Sequence, residues 1–221
     1  DNMMIPTKTI KESNVFDNKV KYEIEIEFVN DNVGRGTPYN EIPAIIPLVR
    51  KSINLILSGI QGTNYPISIS EKRYVIEKYK QLIGSRNKNP NYTSDFIGPS
   101  SMTLQMTNIM EPSAESVTPN IRRDYTATDK EDGDRKLIYI THEGKIYMID
   151  TNMNVQFTGT ITSNKSYYES VIDGEHIKNN KEGVFINLYA AFDVYFVNGK
   201  NVRNLPFVVS GSPNRLELLT E

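Results

Sequence analysis

Between Val20 and Val29 the chain reads VKYEIEIEFV. Tyr22, Ile24, Ile26 and Phe28 alternate with Glu23, Glu25 and Glu27, a period of two that predicts a strand with one apolar and one acidic face. After the polar stretch NDNVGRGTPYN, the run EIPAIIPLVRKSINLILSG places apolar residues at helical spacing. It predicts a helix ending near Gly59, with Pro47 as its start or a kink. Ser70 is the expected N-cap of a second helix, EKRYVIEKYKQLIG, which ends at Gly84. Residues 84–95, GSRNKNPNYTSD, have loop composition and mark a domain boundary, dividing the chain into 1–88 and 89–221. Beyond it the pattern becomes strand-like: SMTLQMTNI, YTATDK, RKLIYIT, KIYMID, NVQFTGTI, ESVID and GVFINLYAAFDVYFVNG. Short connections such as HEG and TNMN predict antiparallel hairpins. The run 183–197, apolar on both faces, predicts one or two buried strands. No internal repeat is present. The expected class is α+β, with residues 96–221 mostly antiparallel sheet, preceded by a helical segment and one strand that lacks nearby partners.

Composition narrows the chemistry. A net charge of −2 gives no global basic signal for nucleic acid, so any polyanion must meet a local patch. The absence of cysteine excludes disulfides and thiolate metal sites from these residues. Two histidines, His142 and His176, are too few for a His-rich metal site and read as surface or strand-end residues. No apolar run is expected to approach the roughly 20 residues of a membrane span, so no membrane partner is expected. The first residues, DNMMIPTKTIKESN, do not have the form of a signal peptide.

Candidate chemistry begins at TDKEDGDR, residues 128–135. Taken alone it is a charged hairpin turn. A lysine amine is nucleophilic only when neutral, and its ordinary pKa of about 10.4 must be lowered by desolvation or neighbouring cations for that. Gly133 permits a tight turn, and Arg135 offers a rigid donor fork suited to phosphate or vicinal hydroxyls. Two further stretches bear on Lys130. SVIDGEHI runs an apolar strand into Asp173 and Glu175 around a glycine. LYAAFDVYF places Asp193, after Phe192, inside an apolar strand, where a carboxylate needs a metal or a core Lys or Arg as partner. One lysine, one arginine and three carboxylates at strand ends are the residue types that a metal–triphosphate site requires.

Lys-x-Asp-Gly-x-Arg, then Asp-Gly-Glu, then an aromatic-Asp in an apolar strand resembles the covalent nucleotidyltransferases, which include mRNA-capping guanylyltransferases and polynucleotide ligases. The resemblance covers residues 125–197 and implies an antiparallel, ATP-grasp-like core. It implies that Lys130 attacks the α-phosphorus of a nucleoside triphosphate, leaving a lysyl–NMP phosphoamide. It also implies that Asp132 and Arg135 bind the nucleotide, Arg135 through the ribose hydroxyls. Glu175 would contact ribose or metal, Phe192 would stack on the base, and Asp193 would serve phosphate and a Mg²⁺ or Mn²⁺ ion. The family's later motifs, a Glu-Gly strand and paired lysines around an aromatic, do not appear, nor does its OB-fold domain. The resemblance therefore implies an incomplete core, a segment of a larger enzyme that lacks the lysines expected to activate the nucleophile.

Glu23, Glu25 and Glu27 separate the two branches of that superfamily. Strand alternation would place these carboxylates on one face, roughly 7 Å apart, where they need water or cations. Alone, that is a solvated sheet face. The pattern also resembles a metal-binding strand of the tunnel-type RNA triphosphatases. In capping enzymes of large DNA viruses, of the mimivirus and asfarvirus kind, that domain precedes the guanylyltransferase. FIGPSSMTLQMTNI and FDVYFVNGKNVRNLPF resemble the same group. By this resemblance residues 1–88 end a triphosphatase-like domain with its helical connection, and 89–221 begin a guanylyltransferase-like domain. GTP would be the substrate and the RNA 5′ end the acceptor, with a cap methyltransferase domain or subunit as a further partner. The expected location is the host cytoplasm or the virion. The alternatives are an ATP-dependent polynucleotide ligase and a non-catalytic module of the same fold.

Overall fold

A computed structural model describes residues 7–14, 22–87 and 93–221. Val20, Lys21, the start of the amino-terminal stretch and the expected boundary at 88–89 lie outside the described residues. The chain divides into two compact units, 1–56 and 57–221, and the division falls inside the first helix.

In the first unit, residues 22–29 are exposed and carry no strand pairing. The alternation there is real, but a strand exists only through hydrogen bonds to a neighbour, and among the described residues none is supplied. A bridge joins Val33 to Tyr39, and helix α1 then runs over Ile42–Gln61. Its stripe of Ile42, Ile46, Val49, Ile53, Leu57 and Ile60 recurs at the helical period. Pro47 sits inside it, removing one backbone donor without ending the helix. No residue of α1 is fully buried. By length and composition alone α1 is sufficient to cross a membrane, which corrects the sequence expectation that no run approaches that size. Arg50 and Lys51 lie side by side at its middle, and charges at a bilayer centre cost about 2.5–3.5 kcal/mol each.

The second unit is built on an antiparallel sheet: β1 (Asp134–Ile140), β2 (Lys145–Asp150), β3 (Val155–Ile161), β4 (Ser170–Asn179), β5 (Phe185–Val197) and β6 (Lys200–Asn201). The strand order is β3-β2-β1-β4-β5-β6. Helix α2 (Ile69–Ile83) packs on one face. Its N-cap is Ser68 rather than Ser70: Ser68 Oγ accepts from Glu71 N at 3.0 Å. Gly84 closes it in the left-handed conformation, as expected. Val75, Ile76 and Tyr79 of α2 meet Leu137, Tyr139, Tyr147, Ile149 and Val171, so helix and sheet share one core. Glu71 Oε1 ties the two together by accepting from Lys145 Nζ at 2.9 Å and Tyr147 Oη at 2.7 Å.

The hairpins form where HEG and TNMN predict them. In the second, Asp150 Oδ1 accepts from the amides of Asn152 and Asn154. Two predicted strands do not form. In SMTLQMTNI a short helix, α3 (Met106–Ile109), appears, and Asn108 holds it by accepting from Gln105 N and donating to Pro119 O. YTATDK is unpaired. The run 183–197 is buried only at Val194, Tyr195 and Phe196. Its first half is exposed because β6 pairs only with Phe196 and Val197, leaving the start of β5 without an outer neighbour. A last helix, α4, spans Arg215–Thr220.

Candidate functional site

Antiparallel register assembles the site. Arg135 on β1 faces Glu175 on β4, Leu137 faces Asp173, and Asp173 faces Asp193 on β5. Directly paired residues share a sheet face, so Arg135, Asp173, Glu175 and Asp193 lie together on the face that carries the core.

Asp173 is fully buried, and a buried charge requires partners. Its carboxylate accepts from Arg135 Nε at 3.1 Å and Nη2 at 2.6 Å, and from Tyr195 Oη at 2.6 Å. Burial and the Asp173 carboxylate push the Tyr195 phenol well above its ordinary range, so it remains a donor. Arg135 Nη1 donates to Pro99 O at 2.6 Å. The guanidinium lies 5.5 Å from the Phe96 ring centre and 5.7 Å from that of Phe192. The loop carrying Phe96 and Pro99 reaches this pair only because residue 98 is glycine: a Cβ there would stand 2.7 Å from Arg135 Nη2 and 3.0 Å from Asp173 Oδ2. Three of the five N–H donors of Arg135 are thus engaged, leaving two for a ligand.

Glu175 has a buried oxygen, Oε2, without a hydrogen-bond partner. Asp193 is fully engaged: Arg215 donates Nε to Oδ1 at 2.8 Å and Nη2 to Oδ2 at 3.2 Å. Arg215 also donates Nη1 to the carbonyl of Leu205.

Lys130 stands on the unpaired segment that enters β1, with 84% of its side chain exposed. Its Nζ donates to Asp132 Oδ1 at 2.6 Å and to Glu131 O at 3.3 Å. The Asp132 bond raises the lysine above its ordinary pKa, with a smaller push from Glu175, while Lys130 holds the Asp132 carboxyl low. Gly133 keeps the segment close to β4, since a Cβ there would lie 2.8 Å from His176 O. Lys130 and Asp132 line a cleft with Ile177 and Leu188 on the same face as Arg135. This fold therefore gathers Arg135, Glu175, Phe192 and Asp193, with Lys130 and Asp132 at the margin, and Lys130 here is protonated.

The carboxylates do not fit a bound metal as arranged. Both oxygens of Asp193 serve Arg215, those of Asp173 serve Arg135 and Tyr195, and Glu23, Glu25 and Glu27 stand exposed on an unpaired segment. Among the described residues no three acidic or histidine side chains converge as a metal set. His142 is half-exposed, as expected, whereas His176 is buried. Sequence reasoning missed Tyr195, Arg215, Phe96 and Gly98. Tyr195 had a signal, since it stands two residues from Asp193 and so on the same face. Arg215 had none.

The family described as mRNA capping enzyme, catalytic domain, matches residues 60–220. Over 182 residues, 82% of the chain, the sequence is 28% identical to the probable mRNA-capping enzyme of Acanthamoeba polyphaga mimivirus, and it spans 13% of that protein's length. The matched region includes α2, the whole sheet and every residue of the Arg135 cluster, and the chain belongs to the mRNA capping enzyme catalytic-domain family.

Proposed function

We propose that this domain performs the guanylyltransferase step of mRNA capping. The neutral amine of Lys130 attacks the α-phosphorus of GTP. The Nζ–Pα bond forms, the bond from Pα to the bridging oxygen breaks, and pyrophosphate leaves. Nζ loses one proton to water to become the neutral amine and a second as the P–N bond forms, keeping one hydrogen in the phosphoamide. A terminal β-phosphate oxygen of diphosphate-ended RNA then bonds to Pα as the Nζ–Pα bond breaks and the amine is reprotonated. The observation that carries this reading is the convergence of Arg135, Glu175 and Phe192 on one face, at the end of β1 that follows Lys130. Arg135 keeps two donors for ribose hydroxyls or phosphate, and Glu175 Oε2 is a buried acceptor awaiting a donor such as a ribose hydroxyl. Phe192 offers a ring beside them. Before attack, Lys130 must leave Asp132 and lose its proton, which requires desolvation or cations near Nζ, and Lys181 lines the same cleft. No step is assigned to a metal ion.

The test is peptide mass spectrometry of the protein incubated with GTP and divalent ion. A GMP adduct on Lys130, abolished by Lys130→Ala, is expected. An AMP adduct formed from ATP in preference to GTP would assign a ligase. Absence of an adduct on any lysine would assign a non-catalytic module. We also propose that the Glu23-Glu25-Glu27 segment belongs to an RNA triphosphatase joined to this domain, on the strength of its alternation. Glu25→Ala should then reduce phosphate release from triphosphate RNA and leave GMP transfer intact.

A further inference from the structure

The sheet face opposite Arg135 takes no part in that chemistry. Register places Lys136, Met148, Gln156 and His176 on it. Two clefts run from this face around the β3 edge, share Thr63, Met148 and Gln156, and so form one continuous groove. Lys72 and Lys136 line one part, and Lys178 and His176 the other.

Its charges are incompletely balanced. The hydrogen-bond acceptor of Lys136 Nζ is an amide oxygen, Gln156 Oε1, at 3.4 Å. Burial, with the charge of Lys178 added, holds Lys136 below its ordinary pKa, although Asp134 and Asp150 oppose this. Asp134 pairs with Lys178 at 3.2 Å on the exposed surface. Asp150 is committed to its turn, accepting from the Asn152 and Asn154 amides and Asn154 Nδ2. Asp150 also lines the cleft, so the lysines Lys72, Lys136 and Lys178 face two carboxylates, Asp134 and Asp150, and the groove keeps one positive charge in excess for an anion.

Flat rings stand beside these cations. Tyr65 is 52% exposed and Phe185 is 70% exposed. The Tyr65 ring lies over Gly159, where a Cβ would approach it to 2.5 Å, and meets Phe157 edge-on, so it is fixed while half its surface stays open. His176, only 6% exposed, holds Asn187 Oδ1 through Nε2 at 2.9 Å, and its buried Nδ1 has no partner. Cations for phosphates and open rings for bases are together the equipment of single-strand binding.

We infer that this groove is the track for single-stranded RNA near the 5′ end that receives the cap. The inference rests on the proposed guanylyltransferase function for the identity of the strand. The test is fluorescence anisotropy of a short, labelled, diphosphate-ended RNA with the protein, paired with the Lys130 adduct assay. Phe185→Ala, at a site too exposed to unsettle the fold, should weaken RNA about fivefold or more, as should Tyr65→Ala. Lys136→Gln should reduce the slope of log affinity against log salt by about 0.7, one phosphate contact. GMP labelling of Lys130 should be unchanged in all three. RNA affinity within twofold of wild type in all three, with the adduct intact, overturns the groove and leaves the guanylyltransferase reading standing. Displacement of the RNA by pyrophosphate alone, lost in Lys136→Gln, would make the groove a phosphate site and also overturn it. Groove-dependent RNA binding without any Lys130 adduct would support the groove and remove the reading of the reaction.

Discussion

Arg135→Ala and Asp173→Ala delete opposite ends of one ion pair, and the structure predicts unequal costs. Asp173 has no exposed surface, whereas 26% of the Arg135 side chain is exposed. Removing the arginine strands a buried carboxylate with Tyr195 Oη as its remaining side-chain donor. Breaking a buried pair in that way costs about 3–5 kcal/mol. Removing the aspartate frees an arginine that can turn toward water and keep its bond to Pro99 O. The larger residual loss is then the unpaired Tyr195 hydroxyl, about 1–3 kcal/mol. Arg135→Ala should thus be the more damaging change, and the double variant should cost at least about 1 kcal/mol less than the sum of the singles. Urea unfolding followed by tyrosine fluorescence suits a chain with 13 tyrosines and no tryptophan. With a slope of about 1–3 kcal/mol per molar, Arg135→Ala should lower the midpoint by at least about 1 M. Additive costs, or a larger loss from Asp173→Ala, would refute the assignment of a buried, arginine-dependent charge.

Glu71 supplies a pH-dependent test. Burial pushes its pKa up, but the bonds from Lys145 and Tyr147 outweigh this, so its folded value lies below the ordinary 4.5. The stabilisation is therefore present above that ordinary value and disappears as pH falls through the depressed folded one. Glu71→Gln should be less stable than wild type at neutral pH, with the difference in urea midpoint vanishing in strong acid. A constant difference across that range would show that charge is not involved. The helix cap gives a second comparison: Ser68→Ala should cost about 1 kcal/mol, as loss of an N-cap does, and Ser70→Ala less than half of that. Thermal unfolding of the two variants that reversed this order would return the cap to Ser70.

Local patterning determined much of the second unit before any contact was known. RKLIYIT, KIYMID and NVQFTGTI became adjacent strands because alternation and short turns are properties of neighbouring residues. Arg135, Asp173 and Asp193 fall on strands β1, β4 and β5, where the alternation placed strands. The sequence also determined that Asp193 needs a partner, because the cost of burying a carboxylate does not depend on where its partner comes from. What it could not determine were matters of pairing and approach. Glu23, Glu25 and Glu27 alternate as a strand does, yet strand pairing depends on a neighbour and not on the segment itself. Lys130 was marked as a nucleophile, but its protonation depends on Asp132, which holds it in place. Arg215 and the Gly98 loop close on Asp193 and Arg135 from other parts of the chain, through contacts with no periodicity. The outer groove is likewise tertiary: Tyr65, Lys136 and Phe185 are ordinary surface residues until the sheet places them along one cleft. Period and composition are written along the chain, whereas the partner of a buried charge is fixed only when the strands pair.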